Sequence, residues 1–111
     1  PHQPMDYQGS DKLKGKAALI TGGDSGIGRA DAILYAKEGA NVAISYLDEH
    51  QDAEETKQLV EAEGAQCILL PGDIKNSDHC VELVEKTVGA FGKINILVNN
   101  AAIQFVREDV L

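Results

Sequence analysis

The stretch Thr21-Gly22-Gly23-Asp24-Ser25-Gly26-Ile27-Gly28 sets four glycines between a short apolar run and an amphipathic one. Glycines at this spacing do chemistry through the backbone. Gly22 permits a tight exit from a strand without Cβ strain. Gly26 lets a diphosphate come close to the main chain, and Gly28 lets a following helix pack tightly on its sheet. The start of that helix offers unpaired N–H groups and roughly half a unit of positive charge, so an anion binds without a lysine. The pattern is Gly-x-x-x-Gly-x-Gly and has no Gly-Lys-Ser/Thr ending, which sets aside a nucleotide triphosphatase. A glycine-rich turn alone is often only a turn. Placed after a strand and at the start of a helix, it favours a dinucleotide.

Other chemistry-bearing residues do not converge. His2, His50 and His79 fall in the leader, a loop and a helix start, and read as surface residues. No close grouping of Cys, His and carboxylates has metal-ligand spacing, so no metal site is expected. Ser25 stands in DSGIG, which is not the Gly-x-Ser-x-Gly elbow, and no acid–base partner accompanies it. The acids from Asp48 to Glu63 read as a solvated helix face. Cys67 and Cys80 lack the spacing of a metal or redox pair and read as buried, reduced thiols.

The elements that must hold the turn follow from periodicity. Ala17 to Ile20 reads as a short buried strand. Ile27, Ala30, Ile33 and Leu34 recur at helical spacing until Gly39. Asn41 to Ser45 is a second strand. Asp52 and Glu55 form an acidic variant of the capping box before Thr56, Leu59, Val60 and Glu63, and Gly64 stops that helix. Gln66 to Leu70 is a third strand. Ser77 or Asp78 caps a third helix with apolar face Val81, Val84, Val88 and Phe91. After Gly92, Ile94 to Val98 is a fourth strand. Strand–helix alternation predicts parallel strands, right-handed crossovers and helices on both faces. The fold class is α/β, a doubly wound parallel sheet whose ligand lies beyond the C-terminal strand ends where the strand order reverses.

Composition bounds the rest. A chain of 111 residues, 43% hydrophobic and 25% charged, is expected to build one core. The net charge of −8 argues against a nucleic-acid partner. No apolar run approaches the roughly 20 residues that cross a membrane. The leader PHQPMDYQGSDKLKGK has no signal-peptide core, and the expectation is a cytoplasmic protein.

TGGDSGIG after the first strand, GDI after the third and NNAA after the fourth resemble the short-chain dehydrogenase/reductase family. The resemblance covers about residues 13 to 102 and corresponds to the first half of a family member. The leader resembles that of the stress-associated, glucose or ribitol dehydrogenase-like group. It implies a Rossmann-type sheet of order 3-2-1-4, with residues 1–14 a polar extension and 15–111 a dinucleotide-binding half-domain that lacks the catalytic half. Gly22, Gly23, Asp24, Ser25, Gly26, Ile27 and Gly28 would form the pyrophosphate turn. Asp73 would accept a bond from the adenine amino group, with Ile74 beside the ring. Without the resemblance, Asp73 reads as a turn residue after Pro71-Gly72. Asn99, Asn100 and Ala101 match the segment that runs along the ribose, and a purely structural role for Asn99 stays open beside cofactor contact. Ala102 replaces the family's usual glycine.

The cofactor implied is NAD or NADP. The family's acidic position at the end of the second strand is Tyr46 here. Asp48 and Glu49 follow it, and Ser25 replaces a basic residue of NADP-preferring members, so the balance favours NAD. The family's catalytic pair is Tyr-x-x-x-Lys, in which the ammonium favours the phenolate. Four residues beyond Tyr7, Tyr35 and Tyr46 stand Asp11, Gly39 and His50, so no such pair exists and no catalytic residue is assigned. The expected function is NAD(P)-dependent oxidation of an alcohol or polyol to a carbonyl, carried out by a homo-oligomeric parent. The 111-residue chain itself is expected to be inactive. The other reading is a complete, non-catalytic nucleotide-binding or interaction module.

Overall fold

The computed structural model describes residues 11–22 and 26–100. Four strands and three helices alternate: β1 (Ala17–Thr21), α1 (Gly26–Lys37), β2 (Asn41–Tyr46), α2 (His50–Ala62), β3 (Cys67–Pro71), α3 (Ser77–Phe91) and β4 (Ile96–Asn99). All strand pairs are parallel and the sheet order is β3-β2-β1-β4. The expected architecture is the observed one.

The central strands explain why the apolar runs are continuous rather than alternating. All five residues of β1 are buried, as are five of the six in β2, because helices cover both faces. Ile20, Val42, Ile44 and Tyr46 meet Ala32 and Ala36 of α1 and Ala53 and Val60 of α2 on one face. Leu19, Ala43 and Leu70 meet Leu83 of α3 on the other. Polar side chains lock the register at the N-terminal strand ends. Asn95 accepts from the Ala17 amide through Oδ1 and donates its own amide to the Ala17 carbonyl, both at 2.9 Å. Asn41 Oδ1 likewise accepts from the Gln66 amide at 3.0 Å.

α1 and α2 lie side by side, and one arginine ties them. Arg29 Nε donates to Thr56 Oγ1 at 2.9 Å, and Nη2 reaches the Asp52 carbonyl at 3.0 Å and Glu55 Oε2 at 3.3 Å. α1 ends in a Schellman closure, with Ala40 N on the Tyr35 carbonyl and Gly39 N on the Ala36 carbonyl, both at 3.0 Å.

Several local expectations need correction. α2 begins at His50, and its cap residue Glu49 makes no side-chain capping bond. The Asp52–Glu55 capping box therefore does not form, because both residues already lie inside the helix. α3 is capped by Asn76, not by Ser77 or Asp78; its side chain accepts from the amides of Asp78 and His79. The buried stripe of α3 is Cys80, Leu83 and Thr87, one position off the Val81-Val84-Val88 row. A Thr is accepted there because its hydroxyl donates to the Leu83 carbonyl at 2.7 Å within the helix. On α1 the buried residues are Gly28, Ala32, Ile33 and Ala36, leaving Ile27 exposed. Leu59 of α2 is also exposed, whereas Thr56 and Val60 of the expected row are buried, joined by Ala53. β3 and β4 start one and two residues later than their apolar runs.

Candidate functional site

The order β3-β2-β1-β4 reverses chain direction across the sheet between β1 and β4. The C-terminal ends of the strands at such a point are where open α/β sheets hold ligands. Four segments meet there: Thr21-Gly22, Tyr46, Asp73-Ile74 and Asn99-Asn100. Sequence reasoning named a residue on each of them. Gly23, Asp24, Ser25 and Ala101 lie outside the described residues.

Gly22 has φ 69°, a left-handed conformation that glycine adopts without strain, and its amide is held by the Ser45 carbonyl at 2.8 Å. The chain therefore turns sharply out of β1 while still bonded to β2. It re-enters regular structure at Gly26, the first residue of α1. A Cβ built on Gly26 would meet no described atom within 4 Å. The first turn of α1 carries no acidic residue. Beside it Ile27 is 71% exposed, whereas Gly28 is buried against the fold. Open space, start-of-helix amides and the lack of a competing carboxylate on that turn fit a diphosphate.

The β4 exit is bound to β1 and α1. Thr21 and Asn99 are register partners, and Thr21 Oγ1 donates to Asn99 Oδ1 at 2.8 Å. The Asn100 amide donates to the Thr21 carbonyl at 3.2 Å, and its side-chain Nδ2 donates to Asp31 Oδ2 at 3.3 Å. Asp31, on the second turn of α1, was not singled out from the sequence. Its partner lies 69 residues away, so no local pattern announces the pair.

Past β3 the chain passes through Gly72, whose φ of 145° is matched by a close contact: an added Cβ would run into the His79 imidazole. His79 is thus not a surface residue as expected. Its side chain is 16% exposed, with Nδ1 4.0 Å from Glu82 Oε1. Asp73 is exposed, and its Oδ1 accepts from the Lys75 amide at 2.9 Å while its carbonyl accepts from the Asn76 amide at 3.1 Å. One carboxylate oxygen thus shapes the turn, the role read for Asp73 from its position alone. Cys80 Sγ donates to the Ile74 carbonyl at 3.0 Å. Burial first, then the Asp73 charge, raises the Cys80 thiol above its ordinary pKa, so it stays a protonated donor pinning Ile74.

At the end of β2, Tyr46 is 6% exposed and packs into the core on the α1–α2 face. Its hydroxyl lies 2.8 Å from His50 Nδ1, and the two rings meet edge to face at 5.3 Å and 89°. Asp48, Glu49 and His50 are exposed around that strand end. Among the described residues no group of three His, Cys, Asp or Glu is placed to hold a metal ion, and no helix is long and apolar enough to cross a membrane.

Comparison with known proteins agrees with this geometry. Residues 16–110 match the family described as short chain dehydrogenase. The chain is 61% identical over 105 residues to "General stress protein 39" of Bacillus subtilis, covering 95% of this chain and 37% of that protein. It is 47% identical over 111 residues to "NADPH-dependent aldehyde reductase 1, chloroplastic" of Arabidopsis thaliana, covering 95% of this chain and 38% of the relative. Among solved structures, a short chain dehydrogenase from Mycobacterium paratuberculosis bound to NAD superposes with a TM-score of 0.76 at 32% identity, over 84% of this chain and 39% of that one. The chain thus spans well under half the length of the proteins it matches.

Proposed function

Since the chain belongs to the short chain dehydrogenase family, we propose that it carries the cofactor site of an NAD(P)-dependent oxidoreductase that interconverts an alcohol or polyol and its carbonyl. The observation that supports this most directly is the open cradle at Gly26, set at the helix start beside the reversal of strand order. The turn from Gly22 to Gly28 would hold the diphosphate, with Gly22, whose amide is taken by the Ser45 carbonyl, shaping the exit from β1 and the start of α1 offering backbone N–H groups. Asp73 and Ile74 would take the adenine, and Asn99 with Ala101 would follow the ribose. When bound, the nicotinamide supplies or accepts the hydride.

The chain's own residues do the binding and orienting. Thr21 fixes Asn99, Asp31 holds the Asn100 side chain, and Cys80 pins Ile74. Proton transfer needs a tuned acid, and the sequence holds no Tyr-x-x-x-Lys pair. The 111-residue chain therefore binds the cofactor without turnover. NAD is favoured over NADP, because Asp48 and Glu49 are exposed at the β2 end and the neighbouring Arg29 guanidinium is engaged on α2. The aldehyde reductase relative supports the alcohol–carbonyl class. We extend the family resemblance to a cytoplasmic, homo-oligomeric parent.

Calorimetric titration of the chain with NAD and NADP tests the reading, with Gly26→Asp as the blocked-turn control. A Cβ at position 26 meets no described atom within 4 Å, so the variant is expected to fold and to place a carboxylate where the diphosphate would lie. Binding by the parent chain and its loss in the variant is the expected result. Equal heats from both proteins, or alcohol-dependent production of NAD(P)H by the 111-residue species, would overturn it.

A further inference from the structure

We propose that His50, held in place by Tyr46, is the residue that meets the 2′ substituent of the adenosine ribose and admits NADP as well as NAD. The inference rests on the dinucleotide reading above and concerns how that site selects its cofactor. In sheets of this kind the group at the end of the second strand reads the ribose 2′ position, commonly as a carboxylate that bonds the hydroxyl. Here that strand ends in Tyr46, whose ring is buried in the core and offers no carboxylate.

What covers the strand end instead is His50. It is the first residue of α2 and is exposed, yet its ring folds back onto Tyr46 with Nδ1 2.8 Å from the phenolic oxygen. The backbone supports this reach: the His50 amide donates to the Asp48 carbonyl at 2.9 Å, which curls the three-residue connection tightly. In the tautomer that the proposal requires, the Tyr46 hydroxyl donates to Nδ1, and Nε2, on the far side of the ring from Tyr46, carries the N–H. A fixed N–H donor at this place bonds a hydroxyl or a phosphate oxygen, whereas a carboxylate would repel the phosphate. The guanidinium of Arg29 does not substitute for it, being held by Thr56, the Asp52 carbonyl and Glu55. His50 thus opposes the exposed Asp48 and Glu49, which disfavour a 2′-phosphate.

The test is calorimetric titration of the full 111-residue chain with NAD and with NADP, for the parent, His50→Ala, His50→Gln and Tyr46→Phe. His50→Ala is expected to raise the Kd for NADP by about three- to tenfold relative to that for NAD, the size of one exposed hydrogen bond to a charged group. His50→Gln, which keeps an N–H donor, recovers part of that loss, and Tyr46→Phe shifts the ratio in the same direction as His50→Ala by freeing the ring. A ratio unchanged within about twofold in His50→Ala, or equal weakening of both cofactors, overturns the proposal while leaving the dinucleotide reading intact. Failure of the parent chain to bind either cofactor sinks the reading beneath it as well.

Discussion

Thr21 Oγ1 donates to Asn99 Oδ1 at 2.8 Å, across register partners of β1 and β4. This bond sits where the strand order reverses, and it joins the residue that opens the glycine turn to the residue that ends β4. Thr21 is fully buried and Asn99 is exposed, so the hydroxyl reaches out from the core to hold a side chain at the C-terminal strand ends. Thr21→Val keeps the shape and the β-branching but removes the donor. It is expected to lower stability by about 1 kcal/mol and to weaken dinucleotide binding by releasing Asn99. Urea unfolding with an unchanged m-value and a lower midpoint would show the first effect, and titration with NAD the second.

Gly72 and His79 make a matched pair. The backbone at Gly72 has φ 145°, and an added methyl would penetrate the His79 ring. Gly72→Ala is expected to destabilise the fold by about 2 kcal/mol or more through strain and overlap together. In a double-mutant cycle, Gly72→Ala with His79→Ala should be more stable than Gly72→Ala alone, since the overlap is gone and only the backbone strain persists. Additive losses would show that the ring is not what excludes the methyl.

Cys67 supplies a pH signature. Burial chiefly, reinforced by the charge of Glu61 and opposed by Lys57, raises its thiol from 9.0 to about 12. In the unfolded chain the thiol ionises first, so its contribution to stability is complete below pH 9 and is lost as pH rises from 9 towards about 12. Unfolding midpoints measured from about pH 8 to about pH 11 should fall more steeply for the parent than for Cys67→Ala. Parallel curves for the two proteins would contradict the burial.

The legible parts of the fold are those governed by local rules. Continuous apolar runs at Ala17 to Ile20 and Asn41 to Ser45 mark strands covered on both faces, and the glycines at 39, 64 and 92 end helices where they were read to do so. The helix faces were less legible. On α3 two apolar rows one residue apart compete, and only the packing of Leu83 against Leu19, Ala43 and Leu70 decides which is buried. The same holds for caps: Asn76 rather than Ser77 or Asp78 caps α3, its side chain accepting from the amides of Asp78 and His79.

For the site, the amino-acid sequence by itself determined the strand ends and the residues on them, because a glycine turn between a strand and a helix is a local pattern with a local cause. It also determined that a tyrosine, not an acid, closes β2. Only the tertiary structure decided what those residues hold on to. Asp31 meets Asn100, Cys80 meets the Ile74 carbonyl, Arg29 is taken up by α2, and His50 folds back onto Tyr46. Two of these four bonds link segments far apart in the chain, and the nearer pairs, Cys80 with Ile74 and His50 with Tyr46, meet only because the turn between them folds the chain back. Hydrogen bonds of that kind depend on where the backbone comes to rest, and that is settled by the burial of the whole sheet.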